Sequence, residues 1–135
     1  MVDIIDMNGL RRCFEDLEER IDPAEEDRLA GSWLDFAGLR RHEAFFAPAR
    51  RAQCPSRRPE EWPDVKINDC WDDAGMMVYH QIKACSDTLN RAGGELLSVR
   101  PNYGTGIIPS MYGASVLMLP READTLPGAQ SLPDR

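Results

Sequence analysis

Residues 93–119 read GGELLSVRPNYGTGIIPSMYGASVLML, and the fold turns on this stretch. Leu96, Leu97 and Val99 form a short apolar run ending at Arg100, and residues 116–119 form a second, unbroken one. Such runs fit strands covered on both faces, as in a parallel sheet. Between them Pro101 has no N–H to give a ladder, and Gly104 and Gly106 permit positive φ or a close backbone approach. A loop at the carboxyl end of a buried strand is the usual ligand position in α/β folds. Residues 100–110 are therefore the candidate site, with Arg100, Asn102, Tyr103, Gly104, Thr105 and Gly106 as binding residues. Arg100 offers a bidentate grip on a carboxylate. Asn102, Tyr103 and Thr105 offer neutral hydrogen bonds, and the glycines offer clearance. A plainer alternative stands beside this: Arg100 pairs with a nearby acid, Tyr103 packs, and the glycines only shape the turn. Gly104-Thr105-Gly106 is too short for a nucleotide fingerprint, and no Lys-Ser/Thr follows it.

Upstream of this stretch lies the longest predicted helix. Asn68 or Asp69 caps it, and Asp72 and Asp73 sit in its first turn. Trp71, Ala74, Val78, Ile82, Cys85 and Leu89 step by three or four along one face, and Gly93-Gly94 ends it. That face is expected to pack on a strand at residues 96–99. Two earlier helices are predicted. Leu10, Phe14, Leu17 and Ile21 line the first, with Glu15, Asp16, Glu18 and Glu19 on its solvated side. Asp22-Pro23 opens the second, Leu29, Trp33 and Phe36 form its core stripe, and Gly38 stops it. Residues 40–59 are a basic, proline-punctuated connection carrying Arg40, Arg41, Arg50, Arg51, Arg57 and Arg58. Such a charge run reads first as a solvated surface and second as an anion-binding arm. His42 and His80 read as packing or surface histidines. After Leu119 the pattern fades into a polar tail.

The bulk properties narrow the classes. The chain has 135 residues and a net charge of −7, which argues against general nucleic-acid binding. No apolar run approaches a membrane span, and no signal peptide is evident, so the expectation is a cytoplasmic protein with no membrane partner. Cys13, Cys54, Cys70 and Cys85 are scattered, which fits free thiols. A zinc site at Cys70, His80 and Cys85 matches no familiar spacing, so neither metal nor cofactor is expected.

The segment LLSVRPNYGTGIIPSMYGASVLMLPREADTLP, with VKINDCWDDAGMM before it, resembles the early barrel region of uroporphyrinogen decarboxylase-like proteins. That superfamily includes corrinoid-dependent methyltransferase relatives. The shared pattern is a strand, a loop reaching into a barrel mouth, a Pro-x-x-x-Gly turn (here Pro109 and Gly113) and a second strand, and it covers most of residues 62–127. The resemblance implies an α/β fold: the N-terminal part of a (β/α)8 TIM-type barrel, preceded by helices. It divides the chain into a helical extension with its basic connection, 1–60, and the first strand-helix units of an incomplete barrel, 61–135. It implies a small or medium anionic organic ligand at the barrel mouth and decarboxylase (lyase) or methyltransferase chemistry in the family. Gly104 stands where the decarboxylase carries its catalytic aspartate, and the methyltransferase zinc ligands come from the later barrel. No catalytic or metal residue is therefore carried over. Barrel strands without neighbours also imply self-association. The alternative is a noncatalytic protein-interaction module of acidic helices.

Overall fold

A computed structural model describes residues 7–40, 45–51 and 59–130. These residues are mixed α/β in content: four α-helices and one two-stranded sheet. Helices α1 (Met7–Arg20), α2 (Pro23–Ala37), α3 (Ala74–Asn90) and α4 (Ile107–Met111) are followed or interleaved by strands β1 (Val116–Leu117) and β2 (Gly128–Ala129). The chain forms two compact units. One is Met1–Pro63 with Lys83–Ser98, and the other is Asp64–Ile82 with Val99–Arg135. The α3 helix thus gives residues to both. Arg41, His42, Cys54, Arg57 and Arg58 lie outside the described residues.

In the first unit α1 and α2 form where the periodicity places them. Asp22 caps α2 by accepting from the Ala24 N–H at 3.0 Å, and Pro23 occupies the first turn, where no N–H is needed. The predicted stripe of α2 is covered only in part, with Phe36 43% exposed. Leu29 is fully buried, Trp33 donates its Nε1–H to the Gly94 carbonyl at 2.8 Å, and Phe36 stacks on Phe46 at 4.4 Å. On α1, Cys13 and Leu17 are buried and Phe14 meets the Trp62 ring edge-on at 5.5 Å. Asp16, expected in solvent, is buried instead. It accepts from Arg20 Nε at 2.8 Å, and Arg20 also reaches the Ser86 hydroxyl at 2.6 Å. A carboxylate can leave water when a guanidinium replaces the lost hydration.

The basic connection departs from its expected solvated character at Arg50. Its side chain is 3% exposed and lies bidentate on Glu26, with both N···O distances 2.7 Å. It also donates to the Glu95 carbonyl at 2.8 Å and to the Gly93 carbonyl. Glu25 accepts the Arg51 backbone N–H at 2.6 Å and grips Arg28 through both oxygens. The acids in the first turn of α2 thus dock residues 50–51 as well as complementing the helix dipole.

In the second unit the polypeptide passes through a 3-10 turn at Ile67–Cys70 before α3. The cap of α3 is Asp73, not Asn68 or Asp69: its carboxylate accepts the Met76 N–H at 3.1 Å. The buried side chains of α3 are Met77, Tyr79, Gln81, Cys85, Ser86 and Thr88, whereas Val78 is 48% exposed. The expected face is therefore rotated. Residues 94–100 join no ladder among the described residues, and Leu96 and Val99 are exposed. One isolated bridge, Ala49 to Gly93, lies just before them. An extended segment stays out of a sheet when no neighbouring strand takes its N–H and C=O groups. The second apolar run does enter a strand, but a short one. Val116 and Leu117 pair antiparallel with Ala129 and Gly128, so the polar tail supplies the partner and the pairing is not parallel.

Candidate functional site

Asn102 is one wall of an open cleft of about 340 Å³ in the second unit, lined also by Ile67, His80, Asp124, Thr125 and Leu126. The cleft is held by polar clamps between residues 66–69 and 119–125. Arg121 lies bidentate on Asp69 at 2.8 and 2.7 Å. Asp124 accepts the Ile67 N–H at 2.9 Å and Lys66 Nζ at 3.2 Å. Asn68 accepts the Thr125 N–H at 3.2 Å and donates to the Leu119 carbonyl at 3.3 Å. Asp124 itself takes a left-handed backbone, φ 44°, which Asp tolerates better than most residues.

The electrostatics follow from these bonds. The Ile67 N–H, with Lys66 and His80 behind it, holds the Asp124 carboxyl below its ordinary range. Hydrogen bonds from Arg121 do the same for Asp69. Both are therefore carboxylates at neutral pH. The thiols behave oppositely. Burial, with Asp69, Asp73 and Asp124 nearby, pushes Cys70 up to about 11, and burial also raises Cys13 and Cys85. These three stay protonated and are poor nucleophiles or metal ligands. Among the described residues no group of His, Cys, Asp or Glu side chains is arranged to hold a metal ion.

The six expected binding residues separate in space. Asn102 lines the cleft. Tyr103 instead packs edge-on against Trp71, 5.5 Å between rings. Gly104 adopts φ +77° where a Cβ would run into the Pro127 carbonyl, and at Gly106 a Cβ would lie 3.1 Å from the Gly128 carbonyl. Gly104 is needed by the backbone, whereas at Gly106 the Gly128 carbonyl would have to give by a few tenths of an ångström. Arg100 and Thr105 are exposed and do not line the cleft. The expected ring of ligand groups depended on a rigid strand end at Val99, and no ladder forms there. His80, Asp124 and Thr125 were not anticipated as lining residues. No local motif marks them; His80 comes from α3 and the other two from the tail.

The cleft offers hydrogen-bonding residues from three parts of the chain: His80, Asn102, and Asp124 with Thr125. The Asn102 amide and the Thr125 hydroxyl form no hydrogen bond with the described residues. The His80 Nδ1 stands 3.5 Å from the Gln81 amide nitrogen. Compared with known proteins, the chain matches no family model, no curated protein and no solved structure. None of the described helices is long and apolar enough to cross a membrane.

Proposed function

We propose that this chain is a binding protein for a small, neutral, hydroxylated organic molecule, held in the Asn102 cleft. One observation carries the reading: Asn102 and Thr125 line one cleft beside the Asp124 carboxylate, and neither the Asn102 amide nor the Thr125 hydroxyl hydrogen-bonds to a described residue. Polar groups converging in a concave site fix a ligand's orientation, and Ile67 and Leu126 supply apolar wall. The carboxylate favours hydroxyl donors over an anion. The test is a titration of the full chain with monosaccharides and with small dicarboxylates, followed by amide NMR. Hydroxylated probes are expected to shift the signals of Asn102 and Thr125. The Asn102→Ala change is then expected to weaken binding by about tenfold, one hydrogen bond's worth. Absence of any shift at these residues would remove the reading.

A second reading is favoured by the segment 109–116. Helix α4, Ile107–Met111, turns at Gly113 and is followed by strand β1 at Val116, which matches the latter half of the order that the uroporphyrinogen decarboxylase-like resemblance expects. In this reading the chain is the leading part of a (β/α)8 barrel of that superfamily. Its ligand is a small or medium organic anion gripped by Arg100, and residues elsewhere in the barrel supply decarboxylase or methyltransferase chemistry. The same titration separates the two readings. Dicarboxylate binding that is lost in Arg100→Ala, with no response to hydroxylated probes, supports the barrel.

A further inference from the structure

The described walls of the Asn102 cleft hold two ionisable side chains, His80 and Asp124. Histidine ordinarily changes charge between about pH 5 and 8. Asp124 is already a carboxylate in that range, as is Asp69 in the clamp beside it. Burial keeps the nearby Cys70 thiol protonated. Lys66 and Arg121 are cations committed to acids, Lys66 to Asp124 at 3.2 Å and Arg121 to Asp69 at 2.7 Å. On α3 the closest charged side chain along the helix is Lys83, which pairs with Asp87 at 3.4 Å. Near neutral pH the charge of this cleft is therefore set by its histidine.

The ring has a different partner in each form. Its Nδ1 faces the Gln81 amide nitrogen at 3.5 Å. An amide nitrogen only donates, so the neutral ring accepts there and carries its proton on Nε2. Gln81 is 8% exposed, which confines that amide. Imidazolium donates from both nitrogens, so two donors then face each other at Gln81. The acceptor for the new cation is Asp124, which lines the same cleft and already feels the charge of His80. Its carboxylate takes the Ile67 N–H and Lys66, leaving part of its roughly four acceptor positions open. A charge-assisted bond from imidazolium outcompetes a neutral hydroxyl for that remainder.

We propose that protonation of His80 empties the Asn102 cleft: the ring leaves Gln81 for Asp124 and takes the acceptor that a ligand hydroxyl would use. This rests on the reading of the cleft as a site for a neutral hydroxylated molecule. The test is an NMR titration of the full chain with D-glucose, D-galactose and D-ribose at about pH 7.5 and about pH 5.5. Both lie above the acid range in which the lowered carboxylates lose their charge, so the fold is the same at each. An ordinary imidazole is about nine-tenths protonated at the lower value, and apparent affinity falls with the fraction left competent. The Kd of a bound sugar is therefore expected to rise about tenfold. His80→Gln is neutral at both values and is expected to bind equally at both. His80→Lys is expected to bind weakly at both. In the unliganded chain the Gln81 side-chain amide signals should move over the same pH range, which reads the ring's departure without any sugar. A wild-type Kd that is the same at both values, a loss that persists in His80→Gln, or static Gln81 signals would overturn the proposal and leave the cleft reading standing. No binding of any of the three sugars at either value would remove that reading, and this inference with it.

Discussion

Arg50 is the residue whose environment departs furthest from its sequence context. It sits in an arginine-rich connection, yet its guanidinium is buried on Glu26 and two main-chain carbonyls. Removing one partner of such a pair leaves the other charge poorly solvated. Arg50→Ala is therefore expected to destabilise the protein by about 3 kcal/mol, measured by urea denaturation. Arg50→Lys should recover a minor part, because an ammonium cannot make the two parallel bonds to Glu26 while also reaching the Gly93 and Glu95 carbonyls. A loss below 1 kcal/mol for the alanine variant would mean that water reaches Glu26 readily.

Among the described helices, α2, α3 and α4 end in the same pair of hydrogen bonds, an N–H to the carbonyl three residues back and the next N–H to the carbonyl five back. The pairs are Leu39 to Phe36 with Arg40 to Asp35, Ala92 to Leu89 with Gly93 to Thr88, and Gly113 to Ser110 with Ala114 to Pro109. This geometry needs a left-handed residue at the first of the two donors. At α4 that residue is Gly113, φ 90°, which accounts for Pro-x-x-x-Gly by local geometry. At α2 and α3 it is Leu39 and Ala92, at φ 54° and 50°, each one position away from a glycine. Left-handed strain on alanine is about 1–2 kcal/mol, and the added freedom of glycine when unfolded offsets about 0.4–1 of it. Ala92→Gly is expected to stabilise by about 0.5–1 kcal/mol in the same denaturation experiment. Gly94→Ala should act in the opposite direction, by about 1–3 kcal/mol, because its Cβ would run into the Pro48 carbonyl. Equal and small effects from both would show that the ends of α3 relax freely.

At the scale of the molecule the folded state is keyed to ionised carboxylates in both units. Hydrogen bonds from Arg28, and from the Arg51 N–H, lower Glu25 from an ordinary 4.5 to about 2. Glu95 is lowered chiefly by its own backbone N–H and by Arg91, and Asp69 and Asp124 are lowered in the other unit. A carboxyl whose pKa is depressed by folding binds protons more readily unfolded. Its contribution is present above the unfolded value and is lost as pH falls through the folded one. Thermal midpoints are therefore expected to be flat above about pH 5 and to fall between about pH 4.5 and 2. In Glu25→Gln the midpoint should start lower and fall less across that window. An identical slope in both proteins would show that Glu25 is not coupled to folding.

Local physics made the first two helices legible in the sequence. Asp22-Pro23 admits one capped start, and the spacing of Leu29, Trp33 and Phe36 sets one face, covered at Leu29 and open at Phe36. The turn at Gly113 belongs to the same kind, since it depends on a few adjacent residues. What local pattern could not decide was which polar groups leave water and which apolar runs find a ladder. Asp16 and Arg50 looked solvated because their partners, Arg20 with Ser86 and Glu26 with the 93–95 carbonyls, are brought to them by folding. The apolar run at 96–99 resembled a buried strand, but a strand is completed by a neighbour, and no described residue pairs with it. β1 takes its neighbour from Gly128 and Ala129, in a tail without apolar periodicity. The site divided for the same reason. Asn102 reached a cleft, but the partners it meets there, His80, Asp124 and Thr125, stand 22 residues or more away along the chain. Arg100 and Thr105, beside it in sequence, do not line that cleft. Backbone conformation near a residue follows from its neighbours in the chain, whereas burial, pairing and the composition of a site follow from contacts that only the tertiary structure creates.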